Sequence, residues 1–344
     1  MFASQLATHM NKAGHEAMIA FVFPGSAPLP FHGKMIHLEG SKKKRMWDFK
    51  AWRKLAQVIK EEQPDVVQAN AGDTLKYAVF SKIIYGWKQP LVFRNASTIS
   101  LYIKSAPAKA WNRFLFRFAG KIISVSDVSA QDFAALFPAC KERIVTIPGG
   151  IETTEFKKGS EANGHAPVFI HVGGFTFEKN HKRLIHIFEK VVKKNPAARL
   201  HLVGNGPLMQ EVEELVKQRG LNENVQFFGF RQDALQLIHK ADVLLLPSII
   251  EGLPGVILEA FFCKTPVVAY DVGGIKEILI NNKTGRLIPG GDEESFANGM
   301  LAAAEKNTIN QQLVENAYQL VTSQYLNSGI AQRFIDVYKT IVKN

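Results

Sequence analysis

The chain has 344 residues, 46% of them apolar and 21% charged, with 42 Lys and Arg against 31 Asp and Glu for a net charge of +11. At about 150 residues per domain this length suits two domains, each able to bury its own core without disulfide or metal staples. The composition excludes a disordered or fibrous chain, no apolar run reaches a membrane span, and the positive balance favours anionic partners.

The chain opens on a helical pattern, with Leu6, Met10 and Ala13 on one face and Gly14 as its stop, and only then reaches a strand. A doubly wound domain normally opens on a strand whose carboxyl turn helps form the ligand crevice, so an opening strand and glycine-rich loop are expected to be missing. Short β-rich apolar runs then alternate with amphipathic stretches, the pattern of βα units around a parallel sheet. Strands are expected at 17–23, 65–69, 91–94, 121–125 and 144–147. After a polar, glycine-containing stretch at 157–166, more follow at 167–172, 198–203, 224–228, 242–246 and 266–270. In 183–192, Leu184, Ile187, Phe188, Val191 and Val192 share a helical face, with Asn180 placed to cap its start. Pro207 opens another helix, lined by Leu208, Val212, Leu215 and Val216 and closed by Gly220. Residues 326–342 read as one helix with Ile330, Phe334, Val337, Tyr338 and Ile341 inward. The expected plan is a first domain at 1–156, a linker at 157–166, a second domain at 167–325 and a closing helix at 326–344.

Two cysteines, Cys140 and Cys263, allow one disulfide at most and suit a reducing cytosol. The first residues lack the basic head and unbroken apolar stretch of a signal peptide. These features predict a cytoplasmic protein whose membrane contact is limited to its surface.

The strongest local signal is EGLPGVILE at 251–259, after the strand DVLLLP. Glu251 belongs to the loop, Pro254 suits the first turn of a helix, and Glu259 lies farther along it. Amides at Gly252, Leu253 and Gly255 would point from that helix start into the crevice at the end of a parallel strand, a place suited to a diphosphate. Acids beside such a site make sense as partners of sugar and ribose hydroxyls. On the residues alone they are equally well solvated surface acids. In VGGFTFEKN, 172–180, a glycine pair precedes Lys179, either a phosphate clamp or a solvated lysine. VGNGPL at 203–208 has Met209 where a dinucleotide fingerprint needs its third glycine, so it is not a nicotinamide site. The turns at 228–231, with Arg231, and at 271–274 also end strands. His181 and His186 are expected at the surface. No Asp-x-Asp pair, Walker loop, GxSxG elbow or metal-spaced His/Cys set occurs, so neither a metal nor a cofactor is expected.

Basic and aromatic residues mix at 41–52, where Trp47, Phe49 and Trp52 follow four cations. They mix again at 103–118, where Lys104, Lys109, Arg113 and Arg117 alternate with Trp111, Phe114, Phe116 and Phe118. Both stretches suit an anionic membrane surface, nucleic acid, or a solvated face over a core helix. No nucleic-acid module is present, so nucleic acid is not the expected partner.

Glu251 with GLPGVILEAFFCKTPVVAYDVGG resembles the E-x7-E segment of glycosyltransferase family 4. VSDVSAQDF…RIVTIPGGIETTEF, VGGFTFEKNHKRLIHIF, HLVGNGPL, FFGF and TGRLIPGGD follow in that family's order. The resemblance implies a GT-B architecture, two α/β Rossmann-like domains facing a cleft, with the last helix crossing back to the first. It implies a retaining, metal-independent transferase moving a sugar from a UDP or GDP donor to a glycan or lipid-linked acceptor in cell-surface polysaccharide synthesis, peripheral to the inner face of the membrane. Carried over by motif, Glu259 would bind ribose hydroxyls, and Glu251 with the Gly252, Leu253, Pro254 and Gly255 turn would meet donor sugar and diphosphate. Lys179 would neutralise the leaving phosphate. Gly173 and Gly174 would line the donor site, and Gly204, Gly206 and the turn with Phe230 and Arg231 would border the base. Gly174 stands where the family usually has an arginine, for which Arg231 or Arg183 are the candidate substitutes. Arg94 and Asn95 are nearest the place of an acceptor-side histidine. The alternatives are a non-catalytic nucleotide-sugar or glycan module, or a sugar-nucleotide 2-epimerase, for which no acid/base pair stands out in the first half.

Overall fold

A computed structural model describes residues 2–24, 31–41, 43–44, 47–154 and 166–342. The chain divides into two compact units, 1–152 with 327–344, and 153–326. Residues 157–165 of the expected linker lie outside the described residues.

In the first unit, α1 (Phe2–Lys12) precedes β1 (Ile19–Phe21), β2 (Met35–His37), α2 (Phe49–Glu62), β3 (Val67–Ala69), α3 (Gly72–Tyr85), β4 (Leu91–Asn95), α4 (Ala106–Phe116), β5 (Ala119–Ser124), α5 (Asp127–Leu136) and β6 (Ile144–Thr146). β1 and β2 pair with each other, and β3-β4-β5-β6 form a second parallel sheet. The period of two along the strands sorts side chains to opposite faces. Phe93 and Ile122 face α2 to α5, whereas Val92 and Ile123 pack with Leu6 and Met10 of α1 and with Ile330, Ala331, Phe334 and Ile335 of the last helix. Asp48 anchors one corner, accepting from the Ala51 and Ser41 amides and from the Tyr77 hydroxyl.

The second unit runs β7 (Val168–Val172), α6 (His181–Lys194), β8 (Arg199–Val203), α7 (Met209–Gln218), β9 (Val225–Gly229), α8 (Ala234–Lys240), β10 (Val243–Leu246), α9 (Gly255–Phe262), β11 (Val267–Tyr270), β12 (Arg286–Ile288), α10 (Glu293–Ala304) and α11 (Thr308–Gln324). Its strands are parallel in the order β9-β8-β7-β10-β11-β12. This is the doubly wound order, reversing between β7 and β10. α6, α7 and α10 cover one face over Phe169, Leu200, Leu202, Leu245 and Val268, while α8 and α9 pack on the other. β10 and β11 are buried along their whole length, as strands covered on both faces must be.

The chain then returns to the first unit as α12 (Asn327–Val342), packed on α1. Ile330 and Phe334 are buried as the spacing predicts, with Val337, Tyr338 and Ile341 partly so. All the expected strands are present. β2 and β12, each three residues long, are additional to the strands expected from the sequence. Ala13 of the first helical face is exposed, since α1 ends at Lys12 before Gly14 takes φ +84°. Among the described residues no helix is long and apolar enough to cross a membrane.

Candidate functional site

Where strand order reverses, the loops after two neighbouring strands diverge and leave a crevice at their carboxyl ends. In the second unit those loops carry Lys179, after β7, and Glu251, after β10. Three contacts bring them together. His171 Nδ1 lies 2.8 Å from the Leu245 carbonyl, Asn180 Nδ2 donates to the Pro247 carbonyl at 3.0 Å, and the Ile249 amide donates to the Glu178 carbonyl at 2.9 Å. Lys179 Nζ then reaches Glu251 Oε1 at 2.6 Å. Glu251 retains 9% of its side-chain exposure and Lys179 24%. Asn180 is the N-cap of α6 as expected, at φ +59°, but it makes no side-chain capping bond and its amide donates to the Pro247 carbonyl instead.

Glycines fix the backbone around this pair. A Cβ on Gly204 would stand 2.0 Å from the Gly173 carbonyl oxygen, and one on Gly206 within 2.6 Å of the Phe175 backbone. The turns after β7 and β8 are therefore laced directly, with Phe175 N–H donating to the Asn205 carbonyl and Leu208 N–H to the Phe175 carbonyl. Gly273, at φ +55°, lets the turn after β11 approach Glu251; a Cβ there would meet the Glu251 carbonyl oxygen at 1.9 Å. Gly174 stands in looser surroundings.

Helix α9 begins at Gly255, so Pro254 is its N-cap and not part of its first turn. Among the described residues the amides of Gly252, Leu253 and Gly255 donate to nothing. They are available to an anion, and α9 places its positive dipole end beside them. Glu259, one turn into α9, accepts no side-chain hydrogen bond from a described residue, and burial pushes its carboxyl above the usual range. A half-buried acid without an internal donor is suited to a hydroxyl supplied by a ligand.

Phe230 is exposed, free to offer a stacking face. Arg231 is exposed and bound through Nε and Nη2 to Asp233 at 2.7 Å each, and Arg183 is paired with Glu293. Each of these two arginines is paired with an acid of its own. In the first unit Asn95 is buried, with Nδ2 near Ser124 Oγ and the Ser129 carbonyl; Arg94 lies beside it at the end of β4.

The expected surface position of His181 is corrected. Its ring is buried, stacked on Phe175 at 4.0 Å and edge-on to His171 at 4.6 Å. Burial and the neighbouring His171 and Lys179 charges hold it neutral, with its pKa lowered to about 2; burial lowers that of His171 to about 4. The signal was in the spacing, since His181 precedes Leu184 and Phe188 on the same helical face. His186 is half-buried. The basic-aromatic stretches are corrected in part. Trp52 and Phe116 are core residues and Trp111, Phe114 and Phe118 pack against the core, because their helical spacing turns them inward. Trp47 and Phe49 are exposed; residues 42, 45 and 46 lie outside the described residues. Cys140 and Cys263 are buried free thiols. Among the described residues no three His, Cys, Asp or Glu side chains gather as a metal site.

A family model described as Glycosyltransferase Family 4 matches residues 1–155, and one described as Glycosyl transferases group 1 matches 152–320. The chain is 28% identical over 233 residues to an uncharacterised glycosyltransferase of Methanocaldococcus jannaschii, a match covering 64% of this chain and 60% of that one. It is 27% identical over 193 residues to an N-acetyl-alpha-D-glucosaminyl L-malate synthase of Bacillus anthracis, covering 56% and 50%. The matches thus span half to three fifths of these relatives' length. Among solved structures, Anabaena HepE in complex with UDP and glucose superposes with a TM-score of 0.84 at 20% identity, over 98% of this chain and 96% of that one. A sucrose-phosphate synthase from Thermosynechococcus elongatus gives 0.83 at 19%, over 98% and 92%. These likenesses show the GT-B fold, and with the two matched domains the chain belongs to the family 4 glycosyltransferases.

Proposed function

We propose that this protein moves a sugar from a nucleotide diphosphate, UDP or GDP, to a glycan or lipid-linked acceptor in cell-surface polysaccharide synthesis. The observation that carries this reading is the Lys179–Glu251 pair set beside three uncommitted amides and the half-buried Glu259 at the switch point of the second sheet. On donor binding, Lys179 turns from Glu251 to the diphosphate, and Glu251 accepts hydroxyls of the sugar. Glu259 accepts from the ribose. The turns at Gly173–Gly174, Gly204–Gly206 and 229–231 border the rest of the nucleotide, with Phe230 and Arg231 at the rim. As the bond between the anomeric carbon and the phosphate oxygen breaks, negative charge grows on the departing diphosphate, where Lys179 and the amides stand. The acceptor oxygen attacks the same face and its proton passes to that phosphate, giving retention; the ammonium and amides take the part a metal plays elsewhere. The UDP-bound state of HepE supports UDP as the nucleotide of the donor. Isothermal titration with UDP and GDP tests the reading. One of them is expected to bind, and Lys179→Ala or Glu259→Ala to weaken it by roughly tenfold or more. Binding of neither, or unchanged binding by both variants, refutes it.

A second reading, a nucleotide-sugar or glycan module without turnover, is favoured by Gly174 together with the engagement of Arg183 and Arg231 elsewhere. Transfer in a glycan-array assay excludes it. Exposed Trp47 and Phe49 beside Lys43 and Lys44 support a peripheral position on an anionic, cytoplasmic membrane face. Recovery at low salt on vesicles with anionic lipid, and not on neutral ones, is the expected result; equal recovery counts against it.

A further inference from the structure

Arg94 stands near the carboxyl end of β4, on the same face as Val92, towards α1 and α12. Its guanidinium carbon lies 3.7 Å from the centre of the Phe2 ring. Among the described residues it donates no hydrogen bond and meets no carboxylate, and its Nε is buried without a partner. Tyr338, its other polar neighbour, directs its hydroxyl to Gln68 Oε1 at 2.6 Å. Burial draws the Arg94 pKa down to about 10, and the Tyr338 phenol opposes the shift only in part.

Such a residue is unusual on physical grounds. A charge taken out of water is normally kept by pairing it, as three other cations of this unit are: Lys76 has Asp73, Lys82 has the Trp87 and Gln89 carbonyls, and Arg143 has those of Phe116 and Ala119. The face of one phenylalanine offsets only part of that desolvation. Asn95, the next residue, has its amide engaged with Ser124 and Ser129, so the guanidinium is left as the free donor fork at this strand end. A planar fork of N–H donors, always charged and without an internal anion, matches an oxyanion.

We infer that Arg94 binds an oxyanion, phosphate or carboxylate, carried by the acceptor, so that the first unit takes a negatively charged acceptor and not a neutral sugar. This rests on the reading of the first unit as the acceptor side. The full chain, saturated with UDP to occupy the second unit, is titrated with inorganic phosphate, acetate, or vesicles containing phosphatidic acid, with thermal stability and sedimentation as readouts. The parent is expected to respond saturably to at least one. Soluble anions acting alone identify a soluble acceptor group, and vesicles acting alone a lipid-borne one. Arg94→Gln is expected to weaken the response roughly tenfold or more, and Arg94→Lys, which keeps charge but not the fork, to fall between. Equal responses in parent and Arg94→Gln, or no response in the parent, overturn the inference. Should Arg94→Gln fail to fold, an Arg94→Lys response equal to the parent's overturns it instead. Because UDP binding is measured on the same samples, its loss throughout, with the anion response intact, refutes the donor reading and leaves this site standing.

Discussion

Removing Lys179 is the sharpest probe of the second unit. Lys179→Met keeps the aliphatic stem but leaves the Glu251 carboxylate, only 9% exposed, facing no cation. Breaking a buried ion pair from one side costs about 3–5 kcal/mol, and the partial exposure of Lys179 places this case near the lower end, about 3 kcal/mol. For a unit of this size that is a fall in melting temperature of roughly 6–12 °C. Glu251→Gln is expected to cost under about 1 kcal/mol, since the lysine is long and exposed enough to turn its ammonium to solvent. In Lys179→Met/Glu251→Gln the stranded charge is gone, so most of the loss returns and the coupling energy is about 2 kcal/mol. Calorimetry on the four proteins at pH 7 measures the cycle. Additive effects, within about 0.5 kcal/mol, would show that the 2.6 Å contact carries no stabilising interaction and would refute the reasoning.

Acid should destabilise the second unit before its surface carboxylates titrate. His171 is neutral in the fold with a pKa of about 4 against an ordinary 6.5, so its contribution is complete above pH 6.5 and is lost as pH falls towards 4, about 3 kcal/mol for this one group. Denaturant unfolding between pH 7 and 4 should show the slope, and a flat profile would contradict it. Gly273→Ala forces a side chain at φ +55° into the Glu251 carbonyl, costing about 1–3 kcal/mol and weakening UDP binding; unchanged binding would show that Glu251 is not held by that turn. Phe334→Ala should cost about 3–5 kcal/mol of first-unit stability, seen by hydrogen exchange in α1 and β4, because α12 carries this ring into the core they share. Protection unaltered there would mean α12 is a dispensable tail.

The periodicity alone specified most of the secondary structure. Val243–Leu246 and Val267–Tyr270 read as strands because runs buried on both faces are apolar throughout, and α6 because its apolar residues recur every three or four positions. Helix ends were less legible, since Asn180 and Pro254 have more than one use at a terminus and only the neighbouring loops select it. The face of an aromatic helix was also ambiguous. Trp111, Phe114 and Phe118 have a spacing that fits a core or a membrane, and the packing of α4 on α3 decides for the core.

By itself the sequence determined two α/β halves, the positions of the glycine turns and the residue types at the ends of β7 and β10, because these depend on neighbours along the chain. Tertiary structure alone decided that Lys179 and Glu251, 72 positions apart, meet, and that Arg94 meets no counter-charge among the described residues. The physical reason is the strand order. β7 pairs with β10 and passes over nothing that the local pattern records, so which loops share a crevice, and which charges find or lack a partner there, is settled by how sheets and helices pack.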